Sequence, residues 1–185
     1  MKKLLILLFF ISFNSFGQKF VATMNGLRDA DNVDNNYLVL EMDGLNATEL
    51  YKQSIKYIND NYNNPEEVIK GSSEGEFLKF DTYVDNLLTY KNSGVKIQIT
   101  GLYTTELRYK DGRIKYEIIS LEMKAKKYSQ YLLFSGGMMS GYLVYKKNGK
   151  LFKEQTKIDI ENYFNNNLET LKKYLIGEAD QEDDW

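Results

Sequence analysis

Histidine and cysteine are both absent from the 185 residues, so any chemistry here must come from carboxylates, amines and hydroxyls. That removes histidine-based triads, cysteine nucleophiles and the usual zinc sites, which need an imidazole or a thiolate. Glu106, Glu117 and Glu122 are the carboxylates worth weighing. A carboxylate hydrolase needs two such groups in one cleft with their pKa values pushed apart. These three fall on strand-like sequence, where the plain expectation is a side chain facing solvent. Gly136, Gly137 and Gly141 do not make a phosphate loop, because no lysine and no clear helix follow them. Asp29, Asp31 and Asp34 have a faint calcium-loop spacing but lack its glycine and terminal glutamate. No catalytic residue, no metal ligand and no cofactor is expected, and an enzyme is the least favoured class.

Binding offers more. Lys110, Arg113 and Lys115 make a basic turn. It reads either as a solvated hairpin tip or as a contact for an anion or an acidic partner. Lys124, Lys126 and Lys127 divide the same way. Met138 and Met139, flanked by glycines, read either as a loop packed on the core or as an adaptable apolar contact for a lipid, peptide or protein. The candidate binding residues are therefore Lys110, Arg113, Lys115, Met138 and Met139. The 15 tyrosines suit strands and binding surfaces alike, but most lie on apolar stripes and read as core.

The elements that must carry these residues centre on residues 95–123. From Val95 to Tyr109 the odd positions are mostly apolar and the even ones polar, the period-two signature of a half-buried strand. Asp111-Gly112 then signals a two-residue hairpin turn of type I′, and residues 114–121 return. Apolar parity runs Ile114, Tyr116, Ile118 and then Ile119, Leu121, Met123, a slip of one that predicts a β-bulge near Ile118. Residues 37–42 read as a strand. Asn46 and Glu49 form a capping-box pattern, and Tyr51, Ile55, Ile58 and Tyr62 follow at helical spacing, with a stop before Pro65. Asn46-Ala47-Thr48 also matches a glycosylation sequon, but the cap explains it better. Short strands are expected at 77–80 and 83–84, and a small hairpin over 142–150 turning at Asn148-Gly149. From Thr156 a last helix carries Ile160, Phe164, Leu168, Leu171 and Leu175 in one stripe, ended by Gly177. Strand, helix, several strands, helix is the order of an α+β domain: an antiparallel sheet with helices packed on one face, plus a C-terminal helix.

The first 17 residues pair Lys2 and Lys3 with an apolar run and small residues at Ser15 and Gly17. This is the pattern of a signal peptide cut between Gly17 and Gln18. The run is too short for a transmembrane span, which takes roughly 20 apolar residues. The mature chain is then expected to be periplasmic or extracellular and soluble, with 168 residues and no lipidated cysteine. Losing Lys2 and Lys3 takes the formal charge from −2 to −4. Such a chain has no electrostatic reason to seek nucleic acid or an anionic membrane. The expected organisation is a leader (1–17), a polar lead-in (18–35), an α+β core (36–124), an extension with hairpin and helix (125–176) and an acidic tail (177–185).

Residues 37–123 resemble a bacterial exported family, domain of unknown function 4468. The resemblance rests on Tyr57-Ile58 near the end of a helix, Asn64-Pro65 followed by Val68-Ile69, the alternating strand into Lys110-Asp111-Gly112-Arg113, and the return strand Tyr116-Glu117-Ile118. Tyr57 stands where the pattern has Trp, and Lys115 where it has a second Arg. The resemblance implies a fold like that of the TATA-binding protein and no activity; DNA binding does not travel with a fold. The function expected is a binding or interaction module of the cell envelope, its partner a protein, peptide or apolar ligand. The alternative is a structural envelope component with no ligand of its own.

Overall fold

The computed structural model describes residues 18–136 and 141–177. In chain order it contains β1 (Phe20–Thr23), β2 (Gly26–Asp29), β3 (Tyr37–Glu41), α1 (Ala47–Asn61), α2 (Pro65–Val68) and β4 (Ile69–Ser73). There follow β5 (Phe77–Asn92), β6 (Val95–Lys110), β7 (Arg113–Ala125), β8 (Leu132–Ser135), β9 (Tyr142–Tyr145) and α3 (Glu154–Leu175). The main sheet has five antiparallel strands in the order β3-β7-β6-β5-β4. Both long helices pack on the same face of it, the α+β arrangement expected.

β6 is the central strand. Its odd residues Ile97, Ile99, Tyr103, Leu107 and Tyr109 are buried beneath the helices. The expected bulge is present: Thr104 pairs with Ser120 but Thr105 with Ile118, so Ile119 is the extra residue and turns out to solvent. At the tip, only Gly112 has positive φ, so the turn is not type I′. The cause is docking. Gly112 N–H donates to Leu45 O, Met42 N–H donates to Gly112 O, and Ala47 N–H donates to the Asp111 carboxylate. The turn with two positive φ values is Ser93-Gly94, which joins β5 to β6.

β5 is one strand of 16 residues where two short ones were expected. Its pairing jumps from Val84↔Gly101 to Leu88↔Ile99, two residues out of step. An even slip keeps the phase, so Leu88 and Tyr90 stay on the face of Leu78 and Phe80. Leu87 folds over Gly101 and sits 3.3 Å from where a Cβ would be, which is why the middle of β6 has no side chain there.

α1 starts as its capping box dictates: Glu49 N–H donates to Asn46 Oδ1 at 3.0 Å and Asn46 N–H donates to the Glu49 carboxylate at 2.8 Å. It ends at Asn61, before Pro65. α3 begins two residues earlier than its stripe implied, and Ile160, Phe164, Leu168, Leu171 and Leu175 are all buried within the same chain. Their burial removes five large apolar side chains from water, worth roughly 1.5–3 kcal/mol each.

Two stretches differ from the expectation. Residues 18–35 do not form a mere polar lead-in, because β1 and β2 make a hairpin that buries Phe20, Ala22 and Leu27. β1 is fastened by side chains of α3: Asn165 accepts from Phe20 N–H at 2.8 Å and donates to Phe20 O at 3.0 Å, and Glu161 accepts from Ala22 N–H. Residues 142–150 make the expected turn at Asn148-Gly149 and return antiparallel, with Lys146 N–H donating to Lys150 O, Tyr145 bridging Leu151 and Phe152 N–H donating to Val144 O, but no second strand forms there and β9 pairs instead in parallel with β8. Tyr142 takes its place on the Tyr90 ring, 4.8 Å between centroids. The leader (1–17), Met138, Met139 and residues 178–185 of the acidic tail lie outside the described residues. No helix among the described residues is long and apolar enough to cross a membrane.

Candidate functional site

α1 must end before Pro65, after which the chain turns through α2 into the edge strand β4. Tyr57 and Asn61 on its last turn, with Tyr62 and Asn63 beyond it, form one wall of a cleft of about 410 Å³. α3 supplies the other wall through Tyr163, Asn167 and Leu171, and the sheet supplies the floor through Thr82, Tyr103, Thr105 and Tyr116. No lysine, arginine, aspartate or glutamate lines it, although 27% of the sequence is charged.

The polar groups in this cleft are hydroxyls and amides, and several hold one another in place. Tyr62 and Thr82 share a hydrogen bond of 2.7 Å, and Tyr103 and Tyr163 one of 3.2 Å. Asn167 Nδ2 donates to the Tyr103 hydroxyl at 3.4 Å. The rings brace each other edge to face: Tyr62 on Phe80 at 5.9 Å, Tyr103 on Phe164 at 5.2 Å. Burial pushes the Tyr62 hydroxyl up to about 12, partly offset by its bond to Thr82. Burial likewise raises Tyr57, Tyr103 and Tyr116. All four therefore stay protonated and able to donate at neutral pH. A tyrosinate base or nucleophile would need the opposite shift, so the arrangement can stack and hydrogen-bond but offers no ready proton acceptor.

Thr105 stands apart. It is 1% exposed, lines the cleft, and its Oγ1 has no hydrogen-bond partner. Tyr116 lies near enough for Thr105 to temper the rise in its pKa, yet the pair falls short of hydrogen-bond geometry. Among the described residues, the other buried side-chain oxygen without a partner, that of Tyr109, lies under α1 rather than in the cleft. A buried hydroxyl left unpaired costs about 1–3 kcal/mol.

The residues singled out from the sequence lie elsewhere. Lys110, Arg113 and Lys115 do come together, on the opposite face of the sheet, around a depression of about 440 Å³ that Arg108, Tyr37 and Val39 also line. Lys115 bonds Glu117 at 2.7 Å and lies 4.3 Å from the centre of the Tyr37 ring. Lys126 pairs with Asp85, and Lys124 lies over Tyr131, so the second basic patch is partly committed to its own neighbours. Glu122 is exposed, as expected, and Glu117 is half-buried. Glu106 corrects the expectation: it is buried, because Lys79 (3.0 Å) and Arg108 (2.6 Å) close over it. Burial raises its pKa, but the bonds from Lys79 and Arg108 outweigh that and hold the carboxyl below its ordinary value. It is a structural carboxylate fixed between two cations. The tyrosine cleft itself was not foreseen. Its signal was Thr82 and Thr105, two hydroxyl residues at core parity among Phe80, Val84, Tyr103 and Leu107.

No family model matches the sequence, and no curated protein is similar to it. Two solved structures are similar in fold. A DUF4468 family protein from Bacteroides ovatus superposes with a TM-score of 0.51 at 11% identity, covering 76% of this chain and 84% of that one. A TBP-like protein from Parabacteroides distasonis gives a TM-score of 0.51 at 13% identity, covering 75% and 90%. The chain thus has the TATA-binding-protein-like fold that the sequence resemblance implied.

Proposed function

We propose that the chain is an exported binding module of the cell envelope whose tyrosine-lined cleft holds a small uncharged ligand. The observation that carries this is the lining itself: aromatic rings, hydroxyls and amides, and no charge. A charged ligand entering such a cleft would give up its hydration and meet no counter-charge. A hydroxyl-rich ring compound suits it better. Its apolar C–H face packs on tyrosine rings, and its hydroxyls both donate and accept, as Tyr, Thr and Asn do. The volume falls within the usual range for small-molecule sites, roughly 300–1,000 Å³. Export is supported by the leader-like pattern of residues 1–17.

Isothermal titration tests the binding reading, with maltose and cellobiose as neutral probes and glucuronate as the acidic one. A neutral disaccharide should give saturable heat, glucuronate much less, and Tyr103→Phe should weaken the neutral probe. Heat from glucuronate alone would overturn the neutral-ligand assignment. Silence from every probe would favour a structural envelope component. Export has its own check: secreted material should begin at Gln18, and an intact Met1 there would count against it.

A further inference from the structure

The hairpin of β6 and β7 carries an electrostatic arrangement that folding alone does not favour. In register, Arg108 stands opposite Lys115, and Lys110 stands opposite Arg113. These are two successive cross-strand rungs of like charge on the open face, and like charges directly opposite are destabilising. Counter-charge reaches only the inner rung: Glu106 bonds Arg108, and Glu117 bonds Lys115 while also accepting from Asn36 at 2.6 Å. Glu41 stands opposite Arg113 in register but makes no ion pair with it, and the Asp111 carboxylate is turned to Ala47 N–H. Among the described residues, neither Lys110 nor Arg113 has an ion-pair partner. The turn between them is pinned to the segment before α1 by backbone bonds at Met42 and Leu45, so the two residues are held across the hairpin tip by a fixed backbone.

From this geometry we infer a second binding site, independent of the tyrosine cleft and on the other face of the sheet, for an oxyanion carried on a small flat apolar group. Lys110 and Arg113 hold the anion across the hairpin tip. Arg113 supplies a planar fork of donors and Lys110 a mobile ammonium. The apolar body lies against Tyr37 and Val39, which flank the same depression. A bound anion relieves the repulsion of the outer rung, so part of its stabilisation is the removal of a strain already present in the free protein.

Thermal melting of the full chain in chloride buffer tests this, with phenyl phosphate, benzoate and phenol as probes. Phenyl phosphate or benzoate should raise the melting temperature in a saturable, salt-sensitive way, and the one with the larger effect identifies phosphate or carboxylate. Phenol should do nothing. Lys110→Gln combined with Arg113→Gln should weaken the anionic probe by about tenfold or more. Without any probe, this double variant should melt no lower than the parent, because a repulsive rung has been removed. The proposal is overturned if neither anionic probe moves the parent, if phenol moves it equally, if the double variant responds as the parent does, or if it melts lower without a probe.

Discussion

Thr105→Val should make the free protein more stable. The side chain is 1% exposed and its Oγ1 has no partner, so the folded state carries a desolvated hydroxyl that the unfolded state hydrates. Leaving such a group unpaired costs about 1–3 kcal/mol. The nearby Tyr116 hydroxyl recovers part of this, which puts the expected gain at about 1–2 kcal/mol. Valine keeps the β-branched shape and suits a central strand. For a chain of this size each kcal/mol moves the melting temperature by about 2–4 °C, so the rise should be about 2–8 °C. Urea unfolding should show a later midpoint with an unchanged slope, the mark of altered stability rather than of an altered unfolded state. A melting temperature equal to the parent's, or lower, would mean the hydroxyl is satisfied in solution. The reading of Thr105 as a buried, unpaired hydroxyl would then fail.

Leu168→Asp puts a carboxylate where a 1%-exposed leucine now packs, and should destabilise the monomer by about 3–5 kcal/mol; a variant with an unchanged urea midpoint and lost self-association would mean α3 docks on another copy. The buried tyrosines set an alkaline limit. Burial raises Tyr57, Tyr62, Tyr103 and Tyr116 above their ordinary 10.0 in the folded state, Tyr62 to about 12. The unfolded chain therefore sheds these protons first, and the stability they contribute is intact below pH 10 and falls as pH climbs above it. Denaturant midpoints on either side of pH 10, read beside tyrosinate absorbance, check this; midpoints that hold steady well above pH 10 would refute it.

Where the sequence spoke through local rules, it was readable. Asn46 and Glu49 predicted a capping box because that motif is complete within four residues. The one-residue slip in apolar parity predicted a bulge near Ile118, beside the extra residue Ile119, because a pleated strand has only two faces. The stripe on α3 was legible for the same reason. What escaped depended on distant partners. Phe20, Ala22 and Leu27 sit in a stretch dominated by Asn and Asp, and nothing local says that Asn165 and Glu161 will grip it. Asn165-Asn166-Asn167 has poor intrinsic helix propensity, yet Asn165 binds the edge of β1 and Asn167 reaches the Tyr103 hydroxyl. Glu106 read as one more solvent-facing strand residue because Lys79, which covers it, comes from the neighbouring strand β5. The basic turn was found by composition; its repulsive rungs needed the register.

The grip of α3 on β1 also sets an order of events. Asn165 holds both backbone groups of Phe20, a contact spanning 145 positions. A chain that emerges N-terminus first has β1 and β2 in hand long before residue 165 exists, and the two-stranded hairpin is at best marginal alone. The five-stranded sheet can pair meanwhile, through connections as short as Ser93-Gly94. The grip of Asn165 and Glu161 on the hairpin must wait for the final helix, so closing this clasp is expected to be a late step of folding. Until it closes, the edge of β1 is unpaired and its apolar residues are open to other chains. A chain released before α3 is complete would carry that exposed edge with it, and truncations within α3 should therefore aggregate rather than simply unfold.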